Sequence, residues 1–399
     1  MKVLLKAKVM KRSYLKGMSI NVLLLGLVSF LNDTSSEMIL PILPMFITSL
    51  GGAGLVIGLI GGLRDSISSI LKVLAGYWSD KIGKRKIFVS SGYLTSSIFK
   101  FLLSFSRSWH HVLTFASLER VGKGLRTAPR DAIIAESMPR RRGKGFGIHR
   151  ALDTAGAIAG STISFLLIWF LGLDFKSIIF FASIIAFLSL IPLYFVKERK
   201  TKPKRMSLSI SLKKLPKSLK IFITIAGIFA LANFSYMFFI LKAKELFTGK
   251  LSTTAPILLY VLFNIFYAIL AVPFGILSDK IGRKKVLIMG YFLFSLTCLG
   301  FAFFNSLPLV VLLFALYGTA YAMIDANQRA YVSDLSSSTL RATALGTFHT
   351  TIGLLALPSS LIAGYLWEKI SPAYTFIFGS SISIFSVILF IIFSRFFET

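Results

Sequence analysis

The sequence is poor in cysteine and in acidic residues. Cys298 is the only cysteine among 399 residues, so no intramolecular disulfide can form, and we interpret it as a small packing residue. Aspartate and glutamate number 16 against 45 lysines and arginines, and these four types make up only 15% of the chain. The surface of a soluble globular protein needs more charge than this, which argues against a soluble fold.

Several chemical signatures are also missing. The sequence contains no nucleophile–base pair, no metal-binding spacing of the His-Glu-x-x-His type and no phosphate-cradling glycine loop. We therefore predict no enzymatic activity, no metal ion and no cofactor. The excess of cations could suggest nucleic-acid binding, but no aromatic-basic platform or zinc spacing accompanies it, so nucleic acid is not an expected partner.

Long apolar runs are what the sequence has in abundance. Apolar residues make up 55% of the chain and recur in runs of about 20 residues, each long enough to cross a bilayer. A transmembrane barrel would alternate in hydrophobicity instead. The runs predict an all-α, multi-pass protein of the cell membrane with twelve transmembrane helices, at residues 18–48, 55–77, 87–106, 111–138, 145–171, 176–196, 218–241, 253–275, 286–305, 309–334, 342–366 and 372–394.

The cations are concentrated in alternate links between these runs. Cytoplasmic links carry more lysine and arginine than the others, so both termini are predicted to be cytoplasmic. No cleavage site follows the basic amino terminus, so we expect an uncleaved first span. The predicted division is a basic cytoplasmic segment at 1–17, a six-helix bundle at 18–196, a basic cytoplasmic linker at 197–217 and a second bundle at 218–399. The linker either rests on anionic lipid or acts only as a topology signal.

One stretch of the sequence occurs twice, half a chain apart. The copies are Gly76–Lys86 and Gly275–Lys285, and each joins two apolar runs. Asp65 and Asn264 stand the same distance before the first glycine of their copy. Parallel halves of this kind are one repeat plan of secondary transporters. The sequence therefore predicts two pseudosymmetric six-helix bundles.

Both copies resemble the loop signature of the major facilitator superfamily, Gly-x-x-x-Asp-Arg/Lys-x-Gly-Arg/Lys-Arg/Lys. Arg120–Gly124 is similar to the family's Arg-x-x-Gln-Gly motif, with Lys123 in place of glutamine, and Gly156–Gly160 resembles its antiporter motif without the usual proline. The resemblance covers essentially the whole chain. It implies alternating access by two rocking bundles around a cavity lined mainly by the first, fourth, seventh and tenth helices.

The repeated loops have a mechanical interpretation. A carboxylate at a helix end can bind nearby cations and the positive end of a neighbouring helix, closing one side of the cavity. The alternative is that these residues only cap helices and set topology. The candidate conformational latch consists of Gly76, Asp80, Gly83, Arg85, Gly275, Asp279, Gly282 and Lys284.

Ionisable residues at membrane depth are functional candidates, because each is costly in hydrocarbon. Asp33 and Glu37 lie one turn apart on the first helix, and two neighbouring buried carboxylates could exchange protons. On the fourth helix, Glu119, Lys123, Arg126 and Arg130 form a stripe that would attract an anion. The alternative for both sets is internal ion pairing. The candidate substrate and proton site consists of Asp33, Glu37, Asp65, Arg120, Lys123, Arg126, Asn233, Tyr236, Asn264 and Asp325.

Pseudosymmetry adds one specific expectation. Asp325 of the tenth helix should stand opposite Arg126, so that the two helices present complementary charge across the cavity. His149 and His349 are interpreted as packed or interfacial residues.

The leading hypothesis is a secondary active transporter that exports a small organic anion or amphipath in exchange with protons, acting as a monomer in contact with lipid. The first alternative is a multidrug carrier for lipophilic cations, which Asp33 and Glu37 would suit. The second is a membrane receptor or scaffold on the same fold, which would bind a ligand without moving it.

Overall fold

The structure is a computed structural model that describes residues 19–139, 141–198, 215–337 and 340–397. Within those ranges the chain is helical and contains no β-strand. The membrane-spanning helices of the first half are α1 (Ile20–Ile39, continued by Leu43–Ser49), α2 (Gly54–Ile82), α3 (Arg85–Ser104), α4 (Trp109–Ser137), α5 (Arg142–Leu171) and α6 (Phe175–Leu188, continued by Leu190–Tyr194). Those of the second half are α7 (Lys217–Ala232, continued by Met237–Lys244), α8 (Leu251–Ile281), α9 (Arg283–Phe303), α10 (Leu307–Asp334), α11 (Arg341–Lys369) and α12 (Pro372–Ile392), followed by a short 3-10 helix, Phe393–Phe397.

The predicted all-helical fold of two bundles is confirmed, with one helix unlike the rest. Eleven helices in the described part of the chain are long and apolar enough to cross a membrane. α4 is long enough but contains seven acidic or basic residues. It packs against α2 and α3, so most of its charges face protein rather than lipid. The predicted segment 1–17 and residues 199–214 of the predicted linker lie outside the described residues.

Three of the predicted continuous helices are interrupted, and in α6 the interruption is the single residue Ser189. α1 breaks at residues 40–42, where Pro41 supplies no backbone N–H for the helical ladder. α7 breaks at residues 233–236 without a proline. There the side-chain oxygen of Asn233 accepts a hydrogen bond from the Tyr321 hydroxyl at 2.8 Å, which ties the break to α10.

The glycines of the repeated loops end their helices as predicted. Gly83 has φ 72° and Gly282 has φ 98°, a region that favours glycine, so α2 and α8 stop there. The two exits differ, because Lys84 separates Gly83 from α3 whereas α9 begins directly after Gly282. The helix after the loop therefore starts one residue earlier in the second copy.

The two bundles have cores of different character. In the second half, Phe239 lies at the centre of an aromatic cluster, with its ring centroid 4.1 Å from that of Tyr317 and 5.1 Å from that of Phe301. In the first half, Lys100 and Glu119 are 1% and 4% exposed, so ionisable groups occupy the interior. Buried charges need partners, so the first bundle is held by a polar network and the second by apolar packing.

The bundles meet mainly along two helix pairs, α2 with α11 and α5 with α8, with a smaller contact between the second segments of α1 and α7. α2 and α11 approach backbone to backbone at the end where α2 begins. A Cβ on Gly58 would overlap the carbonyl oxygen of Ser360, and one on Gly62 would lie 2.8 Å from the Cα of Leu357. The Leu55 N–H also donates to the Glu368 carboxylate at 3.0 Å. We call this the closed end, and the end that carries the two repeated loops the basic end.

Candidate functional site

A cavity of about 280 Å³ lies between the bundles, in the half of the molecule nearer the basic end. Asp325 stands nine residues before the last residue of α10, which places it roughly 14 Å from that helix end. The cavity is lined by Ser68, Ser69, Lys72, Lys123, Thr127, Ala226, Phe229, Ala230, Asn233, Tyr321, Ile324, Asp325, Gln328, Arg329, Phe348, His349 and Ile352.

The helices that line the cavity differ from the expected set. α4, α7 and α10 contribute as the resemblance implies, but α2 and α11 take the place of α1. The reason is packing within the first bundle. A Cβ on Gly156 would lie 3.1 Å from the Cα of Phe30, and one on Gly160 would lie 3.0 Å from the Cβ of Glu37, so α5 sits directly on α1. This contact turns Ser29 of α1 towards Asp153 of α5.

Positive charge predominates in the cavity. The Asp325 carboxylate accepts hydrogen bonds from Arg329 at 2.6 Å and from the Tyr267 hydroxyl at 2.8 Å, so its charge is balanced by Arg329. Lys72 and Lys123 also line the cavity, and neither forms an ion pair or hydrogen bond through its ammonium group with a residue that the structure describes. Two lysines therefore remain available for an anion.

The expectation that Arg126 faces Asp325 across the cavity is wrong. Arg126 is 3% exposed, donates to the Ser96 hydroxyl and stacks 4.5 Å from the centre of the Tyr93 ring, which points its guanidinium group into the first bundle. Lys123, one turn away on α4, occupies the cavity with Asp325 instead.

The remaining cation of the predicted α4 stripe, Arg130, lies 2.9 Å from Asp131 and is also paired inside the first bundle. Glu119 lies 3.3 Å from Arg120 and 3.7 Å from Arg64, and all three are buried. This is the internal pairing that the sequence left open as an alternative. Sequence reasoning did not single out Lys100 of α3, which donates to the hydroxyls of Ser35 at 3.0 Å and Ser36 at 2.8 Å. The sequence feature that could have identified Lys100 is its position as a single lysine within an apolar run.

The two carboxylates of α1 lie outside the cavity lining and have separate partners. The Ser29 hydroxyl lies 2.8 Å from an oxygen of Asp153 of α5 and 3.5 Å from an oxygen of Asp33, so the two carboxyl groups lie close together beside one hydroxyl. Glu37 instead faces the second bundle, where Asn264 of α8 lies 3.5 Å away. Asp33 and Glu37 therefore do not act as one pair in this conformation.

The remaining candidates divide between the cavity and the interface. Asn233 lines the cavity. The Tyr236 hydroxyl donates to the Leu40 carbonyl at 3.1 Å and so joins α7 to α1. Asp65 is exposed but outside the lining. His149 is 5% exposed, as expected of a packed residue, whereas His349 lines the cavity and is not merely packed or interfacial.

Each repeated loop forms its contacts within its own bundle. In the first copy, Asp80 lies 2.7 Å from Arg85, which also pairs with Glu136 at the end of α4. In the second copy, Asp279 pairs with Arg283 at 2.9 Å, and Arg283 also pairs with Asp334.

Lys284 is not the partner of Asp279. Its ammonium group instead donates to the Ser394 carbonyl at 3.3 Å. The sequence of the second copy explains the exchange, because Arg283 stands where the first copy has Lys84, one residue nearer to the aspartate. The contacts in both loops brace helices within a bundle, and a latch between bundles stays a prediction.

The two loop arginines provide a test of this bracing. Arg85→Gln should lower the stability of the detergent-solubilised protein by about 1.5–3 kcal/mol, because two charge-assisted hydrogen bonds of a buried guanidinium are lost. Arg283→Gln should have a smaller effect, since the Arg283 side chain is 24% exposed against 7% for Arg85. Thermal unfolding of both variants is the measurement, and equal losses would contradict the difference in burial.

Comparisons with known proteins agree with this architecture. The family model described as Major Facilitator Superfamily matches residues 25–249 and again residues 223–397, which together cover both bundles. An uncharacterized MFS-type transporter of Methanocaldococcus jannaschii is 60% identical over 378 residues, covering 94% of this chain and 95% of the relative. Multidrug resistance protein MdtH of Aeromonas hydrophila is 25% identical over 332 residues, covering 81% of each chain.

Solved structures share the fold at low identity. A mutant of the nucleoside transporter NupG superposes with a TM-score of 0.79 at 16% identity, covering 95% of this chain and 100% of that chain. The POT family transporter PepTSo gives a TM-score of 0.79 at 11% identity, covering 95% and 98%. At such low sequence identities, the similarity to these structures shows a shared fold and nothing more.

Proposed function

Because the chain belongs to the Major Facilitator Superfamily and is therefore a multi-pass membrane transporter, not an enzyme, we propose that it exports a small organic anion in exchange for protons. Alternating access would expose the cavity first at the basic end and then at the closed end. We place the basic end in the cytoplasm on the positive-inside pattern, and the protein in the cell membrane. Each chain contains both bundles around one cavity, which favours action as a monomer.

The free positive charge of the cavity carries the proposal. Lys72 and Lys123 face the space between the bundles, and the sole cavity carboxylate among the lining residues, Asp325, is already neutralised by Arg329. Two opposite unit charges about 4 Å apart attract by about 4 kcal/mol at an effective dielectric constant near 20. A carboxylate or phosphate group would gain from both lysines, whereas a cation would be repelled by them.

The size of the cavity supports a small substrate. Its volume of about 280 Å³ is just below the usual range of pocket volumes for drug-sized ligands, roughly 300–1,000 Å³. Phe229, Tyr321 and Phe348 add apolar surface beside the charges. An anion with an apolar part, such as an organic acid, fits both features.

The second candidate, efflux of lipophilic cations, is favoured by the 25% identity to a multidrug resistance protein. The same relative supports export as the direction of transport. The acidic residues that would suit a cation, Asp33 and Glu37, lie outside the cavity lining, so we rank this function below anion export. A receptor or scaffold is the remaining alternative and would bind without flux.

Protons are the proposed coupling ion because two carboxyl groups at membrane depth, Asp33 and Asp153, lie within 3.5 Å of the same Ser29 hydroxyl. Two carboxylates held this close repel each other when both are ionised, so the arrangement favours a proton on the pair. Loss and gain of that proton on opposite sides of the membrane would couple export to a proton gradient.

Flux into proteoliposomes tests the proposal. We expect a pH gradient to drive uptake of small organic acids by inside-out-oriented protein and to leave lipophilic cations unmoved. Collapse of the gradient with an ionophore should stop the uptake. Cation flux without anion flux would favour the second candidate, and ligand-induced thermal stabilisation without any flux would favour a receptor.

A further inference from the structure

A continuous path of polar contacts crosses from the first bundle to the cavity wall of the second. It starts at the Asp33–Asp153 carboxyl pair beside Ser29. Arg150 donates to Asp153 at 2.9 Å through one terminal nitrogen and to the Tyr267 hydroxyl at 2.7 Å through the other.

The path continues in the second bundle. The Tyr267 hydroxyl donates to the Asp325 carboxylate at 2.8 Å, and Asp325 is held by Arg329 at 2.6 Å. The step from Arg150 to Tyr267 is the one that passes between the bundles, from α5 to α8. We call Arg150 and Tyr267 the bridge.

The bridge lies where its contacts can change. The side chain of Arg150 is 55% exposed, and that of Asp325, which Tyr267 contacts, is 38% exposed. Asp153 is less accessible, with its side chain 19% exposed. The bridge therefore links a shielded carboxyl pair to a carboxylate that a substrate can meet.

Charged and titratable groups face the path from every neighbouring helix. The neighbours of Asp33 are Lys100 of α3 and Lys123 and Arg126 of α4. Those of Asp153 are Arg130 of α4 and His149 and Arg150 of α5. Those of Asp325 are Lys72 of α2, Arg150 of α5, Tyr267 of α8, Arg329 of α10 and His349 of α11. Apart from the carboxyl pair itself and Asp325, these groups are cations, histidines or a tyrosine.

We propose that Arg150 and Tyr267 are positioning residues that report the protonation of the Asp33–Asp153 pair to Asp325 in the cavity. The proposal rests on the proton-coupled carrier proposed above. With one shared proton the pair carries a single negative charge, and Arg150 divides its two terminal nitrogens between Asp153 and Tyr267. When that proton leaves to water, the pair carries two negative charges and attracts both nitrogens of Arg150, because a guanidinium pairs most strongly with a carboxylate through two parallel hydrogen bonds.

The bridge then loses its link to Tyr267, and α5 and α8 are freed from each other at this level. Asp325 loses the same hydrogen-bond chain, so its contact with Arg329 and with a bound substrate changes. Protonation holds the bridge together and deprotonation opens it, which gives the direction of the pH effect.

Distances between spin labels test the bridge without any substrate. Labels are attached at Phe146→Cys on α5 and Ile276→Cys on α8, two exposed positions near the basic end, in a Cys298→Ser background. In the otherwise unchanged protein we expect the long-distance population to grow by roughly tenfold from acidic to alkaline pH, a coupling of ordinary size. Tyr267→Phe, which keeps the ring and removes the hydroxyl, should hold the long-distance population at its alkaline level at every pH.

Tyr236→Phe is the matched control, because it removes another hydroxyl that joins the bundles, the one bonded to Leu40. It should keep the pH response. Arg150→Lys is a second test that does not change Tyr267. Lysine keeps the positive charge beside Asp153 but lacks the two terminal nitrogens of the guanidinium group, so the variant should also lose the pH response of the label distance. A pH response that survives in both Tyr267→Phe and Arg150→Lys overturns the inference. So does the absence of a pH response in labelled protein that retains both Arg150 and Tyr267. Proton-driven flux measured separately reports on the proposed function, so the two can fail independently.

Discussion

Gly58→Leu is expected to reduce transport by roughly 100-fold. Gly58 lies where α2 meets the backbone of α11, and a Cβ there would overlap the Ser360 carbonyl oxygen. A backbone carbonyl cannot rotate away as a side chain can, so the helices would have to separate. Overpacking of about 3 kcal/mol is within the usual range, and that free energy corresponds to about a 100-fold change in an equilibrium. The carrier would then be unable to close the end of the cavity that is closed in this structure.

Two measurements check this prediction. Flux in proteoliposomes reports the loss of transport. Cross-linking of Leu55→Cys with Glu368→Cys reports closure directly, because the Leu55 N–H binds the Glu368 carboxylate at 3.0 Å in the closed end. The matched control is Gly147→Leu on α5, where no atom lies within 4 Å of an added Cβ. Efficient cross-linking and near-normal flux in Gly58→Leu would show that closure does not need the close approach.

Lys123→Glu is expected to abolish anion binding, with a loss of at least about 100-fold in affinity. Lys123 is exposed to the cavity and has no ion-pair partner among the described residues. Reversing its charge replaces an attraction with a repulsion, and each is worth about 3 kcal/mol at roughly 6 Å and an effective dielectric constant near 20. Lys72→Gln should cost less, since it removes one attraction without adding a repulsion.

The measurement is ligand-induced thermal stabilisation, supported by flux. Lys123→Arg should keep most of the affinity because the positive charge remains. Lys176→Glu, at the start of α6 and outside the cavity lining, controls for the change in net charge. Unchanged anion binding in Lys123→Glu would rule out the cavity lysines as the anion site.

The fold could be predicted from the sequence because two independent signals agreed. Apolar runs located the spans, and the repeated loops gave the two bundles. The predicted span at 111–138 also located α4, although its charges exclude it from the helices that a stricter hydropathy criterion identifies. The break in α7 is a tertiary feature, since it is tied to Tyr321 of another helix, whereas the break in α1 coincides with Pro41.

The site was harder to predict because a helical stripe does not fix which side chain faces the cavity. Lys123 and Arg126 are three residues apart and differ by only about 60° around the helix axis. That rotation decides that Lys123 meets the cavity while Arg126 meets Tyr93. The bridge could not be predicted at all, because Arg150 and Tyr267 come from different halves and no spacing relates them.

The charge content of α4 also constrains biogenesis. An isolated helix with seven acidic or basic residues would partition poorly into lipid, because each central charge adds about 2.5–3.5 kcal/mol to the cost of insertion. The helices that cover it, α2 and α3, precede it in the chain and so leave the ribosome first. α4 must therefore insert next to α2 and α3 after these two helices have entered the bilayer. The amino-terminal bundle then assembles in the order in which it is translated.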